Sequence, residues 1–517
     1  MNSGDQSAVL AFLADPATHG GVTVERIETH ISVVFLAGDL AYKLKRAVRF
    51  DYVDFSTLDR RRQCCEQEVL LNGRTAPQLY RRIIAVTREA AGGLALGGSG
   101  QPVEWLVEMR RFRQDDLFER LAARHQLPLS AMAPLADAIA SLHRSAAPRP
   151  DHGGLAGMRW VVQGNNAGLT EFGGSIIGQT PLTQLAEDGD QELRRQADCL
   201  EARRQGGFVR QCHGDLHLRN IVLLEGVPTL FDGVEFNDEI ACTDVQYDLA
   251  FLLMDLWRRR LATHANVVWN RYLAHTTDWE GIRLQPLFLS CRAAVRAKTS
   301  ATASRVEQDA LRRSELEAMA REYVTLAGQL LHPPAPALVA IGGLSGSGKS
   351  TMAADLAPGL GAVPGAVVLR SDEFRKRLCG VPALQHLGPE AYLPDVSKRV
   401  YGALTDAATR IIRGGHSAIV DAVHGLAYDR QHLRSLAAQL NAPFFGFWLA
   451  APPHMLADRI TRRHDDVSDA DLEVLRRQTA LELGEIDWFR IDASLSSGQV
   501  LATIVDLLGS SYSIPPS

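Results

Sequence analysis

Short apolar runs separated by glycine dominate the first part of the chain. Residues 31–45 contain two such runs joined by a Gly-Asp pair, which predicts a β-hairpin. Charged residues interleave with Leu and Val over 55–72, which predicts a helix. A second hairpin-like stretch at 83–98 leads into a predicted strand at 103–112. Together these patterns predict a small β-rich lobe over about residues 1–110.

Helical periodicity dominates the next part of the chain, over about residues 111–332. Two short strand-like runs, at 220–224 and 228–232, interrupt it near the middle. A β-rich lobe, a connecting strand and a larger helical lobe form the outline of a protein-kinase-like domain. We therefore predict a first domain over residues 1–332.

A proline-rich seam follows at residues 333–336. Its three prolines restrict the backbone and remove amide donors, so neither a helix nor a central strand can continue through them. The apolar runs after the seam, at 337–341, 417–421 and 443–450, predict buried strands. We therefore predict a second domain over residues 333–517, of the α/β class with a parallel sheet.

Composition narrows the class of protein. Of 517 residues, 46% are hydrophobic and 22% are charged, the balance of a globular enzyme. The formal net charge of -5 gives no reason to expect nucleic acid as a general partner. Seven cysteines without a C-x-x-C pair predict reduced thiols and a cytoplasmic location. The chain shows neither a signal-peptide pattern nor a run of about 18 apolar residues, so we expect no membrane span.

The first motif with catalytic chemistry reads His-Gly-Asp-Leu-His-Leu-Arg-Asn at residues 213–220, before a strand-like run that ends in Asp232. A kinase needs a carboxylate that orients the attacking hydroxyl and accepts its proton, and Asp215 could supply it. Mg²⁺ bridging the phosphates of ATP prefers carboxylate and amide oxygens, which Asn220 and Asp232 could offer.

This motif resembles the catalytic loop of the aminoglycoside phosphotransferase family, His-Gly-Asp-x-x-x-x-Asn. The resemblance implies an α+β protein-kinase-like fold for the first domain. It also implies that Asp215 is the catalytic base and that Asn220 and Asp232 are metal ligands. Asp248 matches the acidic helix start of the family and is expected to be a structural partner of the catalytic loop.

The same resemblance suggests nucleotide-binding residues upstream. Lys43 lies in a predicted strand, as expected for the lysine that pairs with the α/β-phosphates of ATP. Lys45 is a rival on the same strand face. In the helix that follows, Glu68 is favoured over Glu66 as the partner of this lysine. The backbone groups of Glu108 to Arg110 are expected to meet adenine at the hinge between the lobes.

Simpler interpretations of the motif stay open. A lone Asp or Asn is usually a turn or cap residue. His213 and His217 could form a metal-binding pair, although Gly214 and Asp215 suit a loop better than a helix face. The chain also lacks the glycine-rich loop of protein kinases near residues 29–34, as antibiotic kinases of this type do.

The second motif, at residues 343–351, is a full G-x-x-x-x-G-K-[ST] between a predicted strand and a predicted helix. Backbone N–H groups of such a loop cradle phosphates at a helix N-terminus. Lys349 is expected to reach the β/γ-phosphates, and the Ser350 hydroxyl is expected to bind Mg²⁺. The predicted nucleotide-binding residues are Gly343, Leu344, Ser345, Gly346, Ser347, Gly348, Lys349, Ser350 and Thr351.

The rest of the second domain resembles small P-loop kinases of the gluconate kinase, adenylylsulfate kinase and zeta-toxin type. A predicted strand ends at Asp421, which suits a Walker-B carboxylate in the Mg²⁺ shell. The resemblance implies that Asp372 is the base for the substrate hydroxyl and that Arg375 helps to hold the substrate. A helix N-cap is the alternative for Asp372.

An arginine-rich stretch at residues 457–478 resembles a lid helix that brings arginines over the phosphates. The planar guanidinium group suits this task because it stabilises charge on the moving phosphoryl group. The candidates are Arg459, Arg462 and Arg463, of which Arg459 and Arg463 complete the predicted catalytic set with Lys349 and Asp372. A solvated helix face is the alternative for each of them.

The whole-chain order resembles bacterial fusions of an aminoglycoside phosphotransferase domain with a P-loop ATP-binding domain. It suggests an enzyme that uses ATP and Mg²⁺ to phosphorylate small-molecule hydroxyls at two sites, such as those of sugars, sugar acids, amino sugars or nucleosides. The alternatives are a switch role for the P-loop domain, a pseudokinase role for the first domain, and aminoglycoside modification. The sequence predicts neither the oligomeric state nor a preference between ATP and GTP.

Overall fold

The computed structural model describes residues 5–50, 52–382, 384–462 and 468–512. Its strands, in chain order, are β1 Val24–Glu28, β2 Ser32–Ala37, β3 Leu40–Lys45, β4 Arg49–Phe50, β5 Val53–Asp54, β6 Tyr80–Arg88, β7 Leu94–Leu96, β8 Gln101–Arg110, β9 Val209–Gln211, β10 Ile221–Leu224, β11 Val227–Leu230, β12 Cys242–Asp244, β13 Leu338–Gly342, β14 Val367–Arg370, β15 Ala418–Asp421, β16 Phe444–Ala450 and β17 Phe489–Asp492.

The α-helices are α1 Ser7–Ala14, α2 Leu58–Asn72, α3 Phe118–Ala123, α4 Met132–Ser145, α5 Gly154–Gly168, α6 Gly174–Ile177, α7 Gln179–Arg195, α8 Ala197–Gln205, α9 Asp238–Ala241, α10 Val245–Arg258, α11 Ala262–Thr276, α12 Gln285–Val306, α13 Ala310–Leu331, α14 Lys349–Leu356, α15 Ser371–Leu378, α16 Pro394–Arg413, α17 Ala427–Gln439, α18 Pro453–Thr461, α19 Leu472–Thr479 and α20 Ser497–Leu508. None of these described helices is long and apolar enough to cross a membrane.

The first of two compact units contains the chain up to Trp160 and Ala197–Leu252. Its main sheet has six antiparallel strands in the order β1-β2-β3-β8-β6-β7. Alternate residues of β2 face opposite sides of this sheet, as the period of two requires. Phe35 packs in a cluster with Leu13 of α1, whereas Leu36 packs with Cys65 of α2. The predicted hairpins, the helix and the strand at 103–112 are confirmed, and β3 and α2 supply residues for a site.

The second compact unit contains Val161–Gln196 and the chain from Leu253 onward. Its sheet has five parallel strands in the order β14-β15-β13-β16-β17. The three predicted buried strands are confirmed as β13, β15 and β16, whereas the sequence analysis missed β17. The P-loop follows β13, at the carboxyl edge of the sheet where parallel α/β folds bind ligands.

Helix α11 covers the edge strand β14 of this sheet. The Asn270 side chain donates to the Ala366 carbonyl at 3.1 Å and accepts from the Val368 N–H at 2.7 Å. Asn266 donates to the carbonyls of Pro364 and Ala366 at 3.1 Å each. An amide side chain thus takes the place of a neighbouring strand, and the edge is protected against pairing with another chain. The predicted boundary after residue 332 stays a prediction, because the second unit holds segments from both sides of it.

Candidate active sites

The catalytic-loop motif places Asp215 and Asn220 side by side in the first unit. The Asn220 amide donates to the backbone carbonyl and to Oδ2 of Asp215, at 2.9 Å each. His217 Nε2 lies 3.3 Å from the same Oδ2. The His217 Nδ1 accepts from the Arg219 N–H, so a neutral ring carries its proton on Nε2, facing Asp215. Asp215 is therefore oriented by two side chains, and 41% of its own side chain stays exposed to an acceptor.

Asp248 holds the backbone of the catalytic loop from behind. Its carboxylate accepts from the N–H groups of His213 at 3.2 Å and Gly214 at 2.8 Å. His143 of α4 contacts the same carboxylate at 3.0 Å. The expected structural role of Asp248 is thus confirmed. His213 Nε2 lies 2.9 Å from the Phe231 carbonyl and burial lowers the pKa of His213, so the metal-pair interpretation finds no support in these contacts.

Lys43 and Lys45 of β3 meet a cluster of three carboxylates, of which Glu68 and Glu235 are buried and Asp232 is partly exposed. Both ammonium groups contact the carboxylate of Glu68 in α2, at 2.7 Å each. Lys43 also pairs with Asp232, and Lys45 pairs with Glu235. The two lysines lie on one strand face, and the carboxylates compensate both positive charges inside the lobe.

The electrostatics of this cluster favour the charged forms of Glu68 and Lys43. Burial alone would raise the pKa of Glu68, but the ammonium groups of Lys43 and Lys45 lower it to about 2. Burial opposes the charge of Lys43 as well, yet Asp232 and Glu68 raise its pKa well above its ordinary value. The structure therefore places Glu68 against Lys43, whereas Glu66 lies exposed on the same helix.

A strained turn presents Asp232. Its φ of 60° lies in the left-handed region, which costs a residue other than glycine about 1 kcal/mol. The Asp232 N–H donates to Tyr80 Oη at 3.0 Å, and the Gly233 N–H donates to Asn72 Oδ1 at 2.7 Å. These contacts hold the turn in this conformation, which is typical of backbone strain at functional sites.

The predicted adenine contact through the backbone of Glu108 to Arg110 stays a prediction. Glu108 lies inside the sheet, opposite Tyr42 of β3 and Arg82 of β6. The Arg110 N–H donates to the Leu79 carbonyl at 2.8 Å. The Arg110 N–H thus takes part in the sheet, at the last residue of β8.

Of the predicted P-loop residues 343–351, residues 343–348 form the turn between β13 and α14, and residues 349–351 begin α14. Gly343 has a φ of 141°, and a Cβ atom there would lie 2.6 Å from the Leu449 carbonyl oxygen. At Gly346, with a φ of 82°, a Cβ atom would lie 2.5 Å from the Leu456 carbonyl oxygen. Both values are shorter than any real contact, so this loop requires glycine at the two positions.

The predicted metal ligands of the second unit are in contact. The Ser350 hydroxyl donates to Asp421 Oδ2 at 2.6 Å. Burial raises the pKa of Asp421, while the charges of Lys349 and Arg370 oppose this rise. Lys349 Nζ donates to the Leu344 carbonyl at 3.1 Å. A hydroxyl beside a carboxylate is a donor set that suits Mg²⁺.

Asp372 is the second residue of α15, whose N-cap is Arg370, so the N-cap interpretation of Asp372 is wrong. Arg375, one turn later, is buried and donates to the Ala391 carbonyl at 2.6 Å. Its guanidinium group lies 4.7 Å from the ring centroid of Tyr392. Burial first, and then nearby carboxylates that include Asp372, raise the pKa of Tyr392. Asp372, Arg375 and Tyr392 thus share one neighbourhood.

The predicted lid helix is two helices, α18 and α19. Arg459 of α18 donates to the Ala493 carbonyl at 2.8 Å, in the loop after β17. Arg462 follows α18 and is exposed. Arg463 lies outside the described residues. The catalytic roles of these arginines stay predictions.

Four residues at these sites were not predicted from the sequence. Two lysines enclosed on one strand face require a second carboxylate besides Glu68. This charge balance could have suggested Glu235. Asn72 and Tyr80 gave no signal, because their role depends on a backbone turn far away in sequence. Gln478 of α19 accepts a hydrogen bond from the P-loop N–H of Ser345 at 2.8 Å, which no motif indicates.

Two family models match the chain. The phosphotransferase enzyme family, APH, matches residues 90–284, which include the catalytic loop and Asp232. The AAA domain family AAA_33 matches residues 338–482, which include the P-loop and Asp421. The two matches lie in the two predicted domains.

Several solved structures resemble parts of the chain. A choline/ethanolamine kinase family protein from Mesorhizobium loti is 14% identical, covering 62% of this chain and 97% of its own, with a TM-score of 0.37. The Mycobacterium tuberculosis APS kinase CysC in complex with AMPPNP and APS is 22% identical, covering 34% of this chain and 99% of its own, with a TM-score of 0.26. A gluconokinase from Sinorhizobium meliloti is 19% identical, covering 34% and 96%, with a TM-score of 0.24.

Relatives that match nearly the whole chain occur in mycobacteria. The uncharacterized proteins Rv2004c of Mycobacterium tuberculosis and Mb2027c of Mycobacterium bovis are each 30% identical over 481 residues, covering 90% of this chain and 92% of the relative. These matches run through both domains. The chain therefore belongs to the same family as these mycobacterial proteins, and its APH domain and P-loop domain make it an ATP-dependent kinase.

Proposed function

We propose that both domains are active kinases, and that each transfers the γ-phosphoryl group of ATP to a hydroxyl group of a small molecule. The observation that carries this proposal is that each compact unit assembles its own phosphoryl-transfer residues. These are a candidate base, an ammonium group for the phosphates and oxygen donors for a metal. They are Asp215, Lys43, Asn220 and Asp232 in the first unit, and Asp372, Lys349, Ser350 and Asp421 in the second.

In the N-terminal site, Asp215 orients the acceptor hydroxyl. As the hydroxyl oxygen attacks the γ-phosphorus, its proton passes to Asp215, and the bond to the β,γ-bridging oxygen breaks to release ADP. Asn220 and His217 hold the base in place. Glu68 holds Lys43 on its strand, where the ammonium group can meet the phosphates.

In the C-terminal site, the P-loop N–H groups bind the phosphates and Lys349 reaches the transferred group. Asp372 receives the proton of the acceptor hydroxyl, and Arg375 and Tyr392 contact the acceptor. Arg459 and Arg463 are proposed to stabilise the charge on the moving phosphoryl group. The contact of Arg459 with the Ala493 carbonyl must then be exchanged when nucleotide binds.

The donor sets at both sites suit Mg²⁺. Asn220 and Asp232 would hold the ion in the first unit, and Ser350 and Asp421 would hold it in the second. Bound there, Mg²⁺ would neutralise part of the phosphate charge. Asp232 pairs with Lys43 through Oδ1, and its carboxylate has a second oxygen that would hold the ion.

The acceptors are proposed to be sugars, sugar acids, amino sugars or nucleosides, because the bases in both sites are single carboxylates suited to hydroxyl groups. The cytoplasm is the proposed location, since all seven cysteines are free thiols.

The test is ADP release from the full-length protein with Mg-ATP and a panel of these acceptors, together with aminoglycosides. The same panel is measured with Asp215→Ala and Lys349→Ala. We expect one acceptor whose stimulation of ADP release disappears in Asp215→Ala, and another whose stimulation disappears in Lys349→Ala. Loss of a base or of the P-loop lysine is expected to lower the rate at least about 100-fold.

The outcomes separate the alternatives. Stimulation that survives both substitutions would contradict the proposal. Stimulation lost only in Asp215→Ala, with nucleotide binding at the P-loop retained, would favour a switch role for the C-terminal domain. An aminoglycoside as the best acceptor would favour antibiotic modification.

A further inference from the structure

One peptide group of the P-loop is held from both sides. The Leu344 carbonyl accepts from Lys349 Nζ at 3.1 Å, and the Ser345 N–H donates to Gln478 Oε1 at 2.8 Å. The lysine of a P-loop reaches the β/γ-phosphates. Because the Lys349 ammonium group lies at this peptide, the Leu344–Ser345 peptide lies on the γ-phosphate side of the loop. Gln478 therefore occupies an N–H group at the end of the site where the phosphoryl group leaves.

The contact comes from a helix that is anchored on the same peptide. Leu475 of α19 packs in a small cluster with Leu456 and Ile460 of α18, and Leu344 packs against this cluster. Leu475 and Gln478 are three residues apart, so they lie on one face of α19. Leu475 and Gln478, on this face of α19, both contact the same segment of the P-loop. A change in the hydrogen bond of the Ser345 N–H therefore changes a contact of α19.

An amide side chain can change partners at this position without leaving it. It offers its oxygen to the Ser345 N–H, and it can offer its NH₂ group to a phosphate oxygen once phosphates take over that N–H. A carboxylate could only accept from the Ser345 N–H, and an ammonium group could only donate to the phosphate. Glutamine is thus suited to both the empty and the nucleotide-bound site.

We propose that Gln478 is a positioning residue that couples α19 to the γ-phosphate of the nucleotide in the C-terminal site. It accepts from the Ser345 N–H in the empty site and donates to the γ-phosphoryl group when ATP is bound. It thereby distinguishes ATP from ADP. This inference rests on the proposed nucleotide binding at the P-loop.

The test measures the dissociation constants of AMPPNP and ADP with Mg²⁺ by titration calorimetry. Full-length protein with Lys43→Met is used, so that only the C-terminal site binds. Adding Gln478→Ala is expected to weaken AMPPNP about 10-fold, the effect of one hydrogen bond to a charged group, and to change ADP less than about 2-fold. Gln478→Glu is expected to weaken AMPPNP further, because a carboxylate repels the γ-phosphate. Glu473→Gln, at an exposed position of the same helix, is the matched control and should change neither constant.

Equal weakening of AMPPNP and ADP by both Gln478 variants, or no weakening, would overturn the proposal, because a merely structural role does not distinguish the two nucleotides. Lys349→Met in the same background separates the underlying assumption. If Lys349→Met leaves both constants unchanged, nucleotide binding at the P-loop is itself wrong. If it abolishes binding while the Gln478 variants stay normal, only the role of Gln478 is wrong.

Discussion

The two candidate active sites hold their phosphate-binding groups with different kinds of partner. In the N-terminal site, two lysines are held by carboxylates, and Glu68 and Lys45 are almost fully enclosed. In the C-terminal site, the phosphate-binding groups are mainly backbone N–H groups of a glycine-dependent turn. One of these groups, the Ser345 N–H, donates to the neutral amide of Gln478.

This difference predicts different sensitivities. Buried charges depend strongly on every partner, because removal of one leaves another uncompensated in a medium of low polarity. A backbone turn depends instead on shape, and its neutral contacts exchange at small cost. Substitutions that remove a charge should therefore damage the N-terminal site most. Substitutions that change backbone geometry or packing should damage the C-terminal site most.

The largest effect is expected for Glu68→Gln. The substitution removes the charge between Lys43 and Lys45 and should lower the free energy of unfolding of the N-terminal unit by about 3–5 kcal/mol. Denaturant unfolding would measure it, with Glu66→Gln as the matched control. Glu66 is exposed on the same helix, so its substitution should cost less than about 1 kcal/mol. Equal losses for the two variants would contradict the charge cluster.

As the pH falls, the C-terminal unit should lose stability at a higher pH than the N-terminal cluster of Lys43, Lys45 and Glu68. Burial lowers the pKa of His416 from 6.5 to about 4, so the unfolded chain takes up a proton first as the pH falls. Its contribution to stability is complete above pH 6.5 and is lost toward pH 4. The pKa of Glu68 is lowered from 4.5 to about 2, so its contribution is lost only between these values.

The measurement is denaturant unfolding between pH 7 and pH 5 for the wild type and His416→Gln. The wild type should lose roughly 2 kcal/mol more than the variant over this range. Burial also lowers the pKa of His424, to about 3. The loss of stability that His424 causes is similar in the wild type and the variant, so it cancels when the two are compared. Parallel pH profiles for the two proteins would show that His416 is not the titrating group.

The smallest effect is expected at the edge of the parallel sheet. Asn270→Ala leaves the Val368 N–H without its side-chain acceptor and should cost about 1 kcal/mol. Hydrogen exchange at Val368 should become faster. Thr276→Ala is the control, since this hydroxyl donates to the Tyr272 carbonyl within the same helix. An unchanged exchange rate at Val368 would mean that α11 does not support β14.

The sequence predicted best the parts of the molecule that depend on neighbouring residues. The Lys43 strand, the helix of Glu68, the P-loop and the strand before Asp421 each follow from local periodicity or from a contiguous motif. The end of β8 was misplaced, because paired and unpaired backbone in one apolar run look alike.

Residues that act through distant partners could not be predicted. Glu235 contacts Lys45 across 190 positions of the chain. Gln478 meets Ser345 only because α19 packs on the P-loop. Asn270 replaces a strand neighbour from a helix outside the sheet. In each case an ordinary polar residue gains its role from tertiary packing, which leaves no periodic signal.

The most direct test of two active sites in one chain is the stoichiometry of AMPPNP binding in the presence of Mg²⁺, since it needs no knowledge of the acceptors. The full-length protein is expected to bind two equivalents, Lys43→Met and Lys349→Met one each, and the double variant none. A wild-type stoichiometry of one, or the loss of both equivalents through a single substitution, would contradict the account.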